Sequence, residues 1–289
     1  MIDTDDIKAL RKAADPGAGL CTIVGIEGSY SRALGSHLGI GSDGALAGTL
    51  ADGCLEAELV RQLGESRAGG AARILRYGKG SPIVDFRLPC GAGIDILIDP
   101  WPDRGAILEA LGKLSGREPA ALQLAAPAGT LLVRRYQPGL KLHIFGAAAE
   151  SEALASLALA AGAEVEIHGG ERGLSGASLP ERVDPWTAIV LLYHDHEWER
   201  AILPWALRGD AFYIGAIGGR RTAEMRSAFL ASAGFDATAI GRLARPIGLI
   251  PSTRTPAMLA ISVFAEIAAE LLARSANSTI AWPLAAVAA

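Results

Sequence analysis

Cys54 is the residue of this sequence whose type and position most directly indicate chemistry. It follows Gly53 at the end of a glycine-rich turn and opens a stretch with helical spacing of apolar residues. A cysteine at the start of a helix faces the positive end of the helix dipole, which favours the thiolate, the form that attacks electrophiles and ligates metals. The alternative interpretation is that Cys54 is a small buried hydrophobic residue.

The stretch after Cys54 has the pattern of an amphipathic helix. Its apolar residues recur every four positions, at Leu55, Leu59 and Leu63. The polar residues Glu56, Glu58 and Arg61 are predicted to face solvent. Gly64 is predicted to end the helix.

A second thiol and an arginine lie in similar turns. Cys90 precedes Gly91 ahead of an alternating strand, and Ser29 and Arg32 lie in a turn that begins at Gly28. Glycine lets a backbone approach a ligand closely and leaves its N–H groups unobstructed. Three such turns in one half of the chain predict a pocket for an anionic, thiophilic ligand, although spacing alone does not identify that ligand.

Composition and charge restrict the class of protein. The chain has 289 residues, half of them apolar, and a formal net charge of −4. That length accommodates two domains, and the lack of a basic excess argues against nucleic acid as a partner. The N-terminus lacks the features of a signal peptide, and no run reaches the roughly 18 apolar residues of a membrane span. We therefore expect a cytoplasmic protein that does not bind membranes.

Cysteine usage agrees with that compartment. Cys21, Cys54 and Cys90 are the three cysteines, an odd number that fits a reducing environment better than a disulfide framework. Cys21 begins an apolar strand and is predicted to be a core residue.

The first half of the chain is predicted to be a strand-rich α+β domain covering residues 1–138. Besides the helix at Cys54, helices are expected at 5–14 and 104–115. Strands are expected at 20–26, 36–40, 45–50, 72–77, 83–87 and 94–99, with a hairpin at 120–125 and 130–136. The segment Gln137-Pro138-Gly139 marks the boundary.

From Lys141 onward, strands and helices alternate, which is typical of a parallel sheet with crossover helices. Strands are expected at 141–145, 164–168, 187–193 and 211–216, and helices at 149–161, 197–207, 222–233 and 257–274. Thr222 and Thr255 are predicted to cap the last two helices. This pattern predicts a Rossmann-like parallel α/β domain over residues 139–275, followed by a tail at 276–289.

The first turn of this second domain lies where a dinucleotide fingerprint would be. Gly146 is present, but Ala148 and Ser151 replace the later glycines and Glu150 adds a negative charge. NAD(P) is therefore an improbable ligand.

Two further groups lie at the expected strand ends. His194 and His196 are candidates for metal binding or proton transfer, with a hydrogen bond to a neighbouring loop as the alternative. Arg220 and Arg221 follow a glycine turn ahead of a helix and form a candidate anion site, with a solvated helix start as the alternative.

Taken in order, these stretches resemble the xanthine dehydrogenase accessory protein family, the XdhC/CoxI group. The matching segments cover nearly the whole chain and are Gly28-Ser29 with Arg32, Asp43-Gly44 with Gly48-Thr49, Gly53-Cys54-Leu55-Glu56, Cys90-Gly91, His194-Asp195, Tyr213-Ile214-Gly215, Arg220-Arg221-Thr222, Pro246-Ile247-Gly248-Leu249, Thr255-Pro256 and Ala265-Glu266-Ile267. The sequence departs from the family pattern at Asp52, where glycine is usual, and around Arg32, where Ser31, Ala33 and Leu34 replace prolines.

The resemblance implies a non-catalytic chaperone. Such proteins bind molybdenum cofactor, hold it while a cysteine desulfurase supplies its terminal sulfur, and deliver it to a xanthine dehydrogenase-like molybdoenzyme. Cys54 and Cys90 are then expected at the metal, and Arg32 with the glycine-turn amides at the phosphate. The full set of residues expected to bind the cofactor is Cys54, Cys90, Gly53, Gly91, Ser29, Arg32, Glu56, His194, Arg220 and Arg221.

Two other classes of protein stay open on the sequence. One is an NAD(P)-dependent oxidoreductase with a degenerate Rossmann site, and the other is a scaffold that binds only proteins. In every case the apolar circumference of the helix at 257–274 predicts an interface, so we expect a homodimer with the cofactor pocket near the seam between the domains.

Overall fold

The computed structural model describes residues 4–51, 53–82, 91–127, 131–146, 149–169, 179–193, 197–244 and 246–275, with only the backbone of Cys54 and Ser275. The described residues divide into two compact units, one ending at Pro138 and the other beginning at Gly139. Each unit has its own sheet and its own core.

The first unit is built on a five-stranded antiparallel sheet with the order β3-β2-β1-β5-β4. In chain order its elements are α1 (Thr4–Ala13), β1 (Gly19–Glu27), β2 (His37–Ile40), β3 (Leu46–Gly48), α2 (Cys54–Gly69), β4 (Arg73–Gly78), β5 (Gly93–Asp99), α3 (Arg104–Ser115) and the hairpin β6 (Ala120–Ala125) and β7 (Leu131–Tyr136).

Both faces of the first sheet are covered, which explains the continuous burial of β1 from Gly19 to Val24. Cys21 and Ile23 point to the face on which α2 packs, through Leu55, Leu59 and Leu63. Residues of α1, α3 and the hairpin cover the opposite face. The sheet is therefore the middle layer of this unit.

The second unit is a parallel sheet with the order β12-β11-β10-β8-β9. Its elements are β8 (Lys141–Phe145), α4 (Ala149–Ala160), β9 (Glu164–His168), β10 (Thr187–Leu191), α5 (Glu199–Arg208), β11 (Tyr213–Ala216), α6 (Arg220–Ser232), α7 (Ala237–Gly241), β12 (Leu243–Ala244) and α8 (Pro256–Ser275). Helices α4 and α8 pack on one face, and α5 packs on the other.

The predicted fold class is confirmed: a strand-rich α+β unit precedes a Rossmann-like parallel α/β unit. Thr255 caps α8 as expected, since the Met258 N–H donates to its Oγ1 at 3.3 Å. Helix α7 and strand β12 were not predicted. The strand expected at 83–87 and the tail at 276–289 lie outside the described residues.

Two predicted helix boundaries are wrong. Helix α2 continues past Gly64 to Gly69, because Gly64 is exposed and a helix-interior glycine destabilises by only about 1 kcal/mol. Burial of Leu59 and Leu63 outweighs that amount at roughly 1.5–3 kcal/mol each. Helix α6 begins at Arg220 with Gly219 as its N-cap, so Thr222 lies inside the helix.

Helix α8 is the one helix within the described ranges that is long and apolar enough, by composition, to cross a membrane. Its buried residues Ala260, Val263, Ile267 and Leu271 belong to the core of the second unit. Glu266 on the same helix accepts hydrogen bonds from Tyr213 Oη and from the Gly248 N–H. These contacts are those of a core helix packed on a sheet.

Candidate functional site

Two of the predicted turns lie at the same end of the first sheet. Strands β1 and β5 pair so that Glu27 is opposite Gly93, which places the turn that begins at Gly28 beside Gly91 and Ala92. Gly28 has φ of +86°, and a side chain there would come within 3.6 Å of the Ala92 Cα atom. The positive φ favours glycine at this position, and the neighbouring turn lies at van der Waals distance.

Tyr30 joins the third turn to this region. Its hydroxyl donates a hydrogen bond of 2.8 Å to the Leu50 carbonyl oxygen, in the loop that leads into α2. The turn at 28–32 therefore contacts the loop that precedes Cys54. The sequence alone gives no signal for this contact, since the tyrosine and its partner are distant in the chain.

Glu56 organises the loop before Cys54. Its carboxylate accepts hydrogen bonds from Thr49 Oγ1 at 3.0 Å and from three backbone N–H groups, those of Leu50 at 3.0 Å, Ala51 at 2.6 Å and Gly53 at 2.8 Å. Gly53 has φ of +104°, which favours glycine at this N-cap position. The loop is therefore wrapped around one carboxylate at the first turn of α2.

The prediction that Glu56 faces solvent is wrong, because its side chain is buried. Burial by itself would raise the pKa of Glu56, but the N–H groups of Ala51 and Gly53 and the hydroxyl of Thr49 outweigh it, so the pKa lies below its ordinary value. The carboxylate is therefore ionised at neutral pH. The Gly53 N–H is already used, and in this conformation it does not point to a ligand.

The charges near this end of the sheet are mostly paired. Arg76 donates to Asp95 Oδ2 at 2.8 Å and also pairs with Glu27, which in turn lies 2.6 Å from Lys79 Nζ. The hydrogen bond and charge of Lys79, with those of Arg76, lower the pKa of Glu27. Arg32, in contrast, is half-buried and has no ion-pair partner within the parts of the chain that the structure describes.

The remaining predicted residues of the first unit can be placed only in part. Ser29 and Gly91 are exposed, and Cys54 is the first residue of α2. The side chain of Cys54 and the whole of Cys90 lie outside what is described. Cys21 is fully buried, as predicted, and burial raises the pKa of its thiol.

In the second unit, Arg220 and Arg221 are exposed at the start of α6, and Arg220 Nε lies 3.2 Å from Glu224. His194 and His196 lie outside the described residues. The buried Arg226 side chain contacts the glycine turn before α6. It donates a hydrogen bond of 2.6 Å to the Glu199 carboxylate and another to the Ile217 carbonyl oxygen. Arg220 and Arg221 are therefore solvated side chains in the first turn of α6.

The end of β8 is closely packed. A side chain at Gly146 would come within 2.5 Å of Ser151 Oγ and 3.2 Å of Leu192 Cβ. Ser151 Oγ is buried without a hydrogen-bond partner among the described residues. The serine thus occupies the place where a dinucleotide fingerprint has its last glycine.

Fold and site together define a two-unit protein in which a glycine-turn unit with a cysteine at a helix start precedes a Rossmann-like unit. Comparison with known families agrees with both halves. Residues 11–78 match the family described as "XdhC and CoxI family", and residues 142–267 match the "XdhC Rossmann domain".

A relative from Escherichia coli (strain K12) is the "Molybdenum cofactor insertion chaperone PaoD", 32% identical over 298 residues that cover 96% of this chain and 92% of the relative. A crystal structure described as a xanthine dehydrogenase from Bacillus halodurans has a TM-score of 0.73 with 18% identity, covering 96% of this chain and 98% of that one. The structural likeness shows the fold. The chain belongs to the XdhC/CoxI family, which confirms the resemblance found in the sequence.

Proposed function

We propose that this protein is a non-catalytic chaperone of the cytoplasm that binds molybdenum cofactor as cargo and delivers it to a xanthine dehydrogenase-like molybdoenzyme. A cysteine desulfurase partner supplies the terminal sulfur while the cofactor is held. Family membership and the chaperone relative support this function. The structural observation that carries it is the meeting of the turn at 28–32, Gly91 and the loop before Cys54 in one region of the first unit.

The cofactor's phosphate is proposed to bind at Arg32. Arg32 has no ion-pair partner among the described residues, and its guanidinium can form charge-assisted hydrogen bonds to phosphate oxygens. Ser29 and Gly91 lie in the two turns beside it and are proposed to add hydroxyl and backbone donors. The neighbouring cations Arg76 and Lys79 are already paired with the carboxylates of Glu27 and Asp95.

The metal and its sulfur are proposed to lie at Cys54 and Cys90. Cys54 is the first residue of a helix, where the dipole stabilises a thiolate. Glu56 and Gly53 are proposed to act by positioning this cysteine, because their polar groups are bonded to each other. They hold the turn, and the thiolates and Arg32 contact the cargo.

The two alternatives make different demands. A nicotinamide enzyme needs room for a pyrophosphate at the first turn of the Rossmann-like unit, and Ser151 Oγ fills space there. A protein-only scaffold makes no use of Arg32, a half-buried arginine beside glycine turns that has no ion pair within the described part of the chain. We therefore favour the cofactor chaperone.

The test is to purify the full chain from a host that makes molybdenum cofactor. Molybdenum is measured by elemental mass spectrometry, and pterin by the fluorescence of its oxidised form. We expect both in the wild type, and at least tenfold less in Cys54→Ser, with Cys21→Ala as the matched cysteine control. If Cys54→Ser retains as much molybdenum and pterin as the wild type, Cys54 is a core residue and not a cofactor ligand. If the wild type contains no pterin, the result favours a scaffold that binds only proteins.

Arg32→Gln tests the phosphate end of the site. Loss of a charged hydrogen bond, worth roughly 1.5–3 kcal/mol, weakens cofactor binding by about 10-fold to 150-fold. Arg61→Gln is the control, since Arg61 is an exposed arginine of α2 paired with Glu58 and Glu65. Delivery is tested by mixing loaded protein with cofactor-free xanthine dehydrogenase and measuring the activity gained.

A further inference from the structure

A cluster of two histidines and one glutamate lies in the second unit, on residues that the proposed cofactor site does not use. Strands β8 and β9 are parallel neighbours, with His143 opposite Glu166 and Phe145 opposite His168. This register places the three polar side chains on one face of the sheet. The His143 side chain is 1% exposed, that of His168 is 15% exposed and that of Glu166 is 43% exposed.

We propose that His143, Glu166 and His168 bind one divalent transition metal ion, for which zinc is the expected occupant. The ligand atoms are His143 Nδ1, His168 Nε2 and Glu166 Oε2. Two imidazole nitrogens with one carboxylate oxygen are a set that zinc uses when it keeps a further position open.

The distances between the three atoms fit such an ion. His143 Nδ1 lies 2.9 Å from His168 Nε2 and 3.5 Å from Glu166 Oε2, and the last two atoms are 3.9 Å apart. The point equidistant from all three is about 2.0 Å from each, which is the length of zinc bonds to imidazole nitrogen and carboxylate oxygen. A small ion therefore fits among them without movement of the strands.

The neighbouring groups prepare the ligands. Lys141 Nζ lies 2.7 Å from Glu166 Oε1, so it orients the carboxylate and leaves Oε2 directed to the histidines. In its neutral form each imidazole ring has a lone pair that can bind the ion.

Without the ion, the two rings share a hydrogen bond. Their centroids are 5.1 Å apart, so the ring nitrogens point almost directly at each other, and the rings would turn to direct their lone pairs at the ion. His143 Nε2 has no hydrogen-bond partner among the described residues, and the ring lacks the outer-shell acceptor that strong zinc sites provide. We therefore expect weaker zinc binding than at a site with a complete outer shell, with entry of the ion from the exposed side of Glu166.

The test uses the full chain after treatment with a chelator. Zinc chloride is titrated in competition with a chromophoric zinc indicator, and the number of bound equivalents and their affinities are compared among variants. Glu166→Gln and His168→Gln remove ligands. Glu164→Gln is the matched control, because Glu164 lies on the same strand and pairs with the same Lys141 at 3.0 Å but is not a ligand.

We expect one equivalent of zinc to bind at least tenfold more weakly in both ligand variants and normally in Glu164→Gln. Because thiolates elsewhere in the chain also bind zinc, cobalt(II) is titrated in parallel. The site predicts cobalt d–d bands without a sulfur-to-cobalt charge-transfer band, and Glu166→Gln abolishes those bands.

Two results would overturn the proposal: unchanged zinc affinities in a folded Glu166→Gln protein, or cobalt spectra that show only thiolate ligation. Circular dichroism verifies folding. Glu166 is the most exposed of the three ligands, so its variant gives an answer even if His168→Gln is destabilised.

Discussion

Replacing Glu56 tests whether one buried carboxylate holds the loop in front of Cys54. In Glu56→Gln the side chain keeps its shape, but an NH2 group takes the place of one carboxylate oxygen. If the remaining oxygen stays with Thr49, Leu50 and Ala51, the new NH2 group faces the Gly53 N–H, and two donors oppose each other. The charge that strengthened the other three hydrogen bonds is also lost.

The expected effect follows from the bonds that change. Hydrogen bonds to a charged group contribute roughly 1.5–3 kcal/mol each, and their effects within one network do not add. We therefore expect a local destabilisation of about 2–3 kcal/mol for Glu56→Gln, which corresponds to a roughly 30-fold to 150-fold larger equilibrium constant for opening of the loop. The fold of the unit stays intact, because the contacts of Leu55, Leu59 and Leu63 are unchanged.

Hydrogen exchange measured by mass spectrometry reads this opening directly. Peptides that contain the amides of Leu50, Ala51 and Gly53 should exchange faster in Glu56→Gln, whereas peptides from β5 should not. Glu58→Gln is the control, since Glu58 lies one half-turn away and forms an ion pair with the exposed Arg61 that contributes at most about 1 kcal/mol. Cofactor retention should fall with loop protection.

Wild-type exchange rates in Glu56→Gln, or an equal effect of Glu58→Gln, would show that the Glu56 carboxylate does not hold the loop. A pH series provides a second check. Because the pKa of Glu56 is lower in the folded protein than in the unfolded chain, its contribution is present above the unfolded pKa of about 4.5 and is lost as the pH falls through the folded value.

Three further expectations concern other parts of the chain. His37 is buried against Thr22 and Tyr136, and burial, with the charge of Arg134, lowers its pKa to about 3. The free energy of unfolding in urea should therefore be constant above pH 6.5 and about 2 kcal/mol lower at pH 5, with a smaller pH slope in His37→Gln. A flat wild-type profile would contradict this expectation. NAD and NADP should bind with dissociation constants of about a millimolar or weaker, and micromolar binding by calorimetry would show that Ser151 does not block the site. Light scattering should give twice the chain mass of 29.9 kDa, since α8 exposes apolar side chains, and a monomer at micromolar concentration would rule out the homodimer.

Local pattern determined most of the secondary structure. Strand and helix periodicity gave β6 and α3 at the observed positions, and threonine before proline gave the start of α8. The core role of Cys21 was also visible, because an apolar strand covered on both faces has few polar positions. These features depend on neighbours within a few residues, so one sequence carries them.

The burial of Glu56 depended on a contact that local pattern does not contain. Helical spacing places position 56 beside the apolar stripe, and only the return of the loop from Thr49 to Gly53 covers it. The same holds for Tyr30, whose partner is twenty residues away. Sequence motifs identified the turns as candidate cofactor-binding segments. The pairing of the strands is what places these turns next to each other.

The histidine and glutamate cluster shows the same division. His143 and His168 are 25 positions apart, which is not a recognisable spacing for metal ligands. His194 and His196 were predicted as candidate ligands because they are close in sequence. The order of the parallel strands puts β8 beside β9, and their register then aligns the ligands on one face. Sequence determines which face each side chain takes along a strand, but the pairing of distant strands is a property of the whole sheet, and it decides which side chains meet.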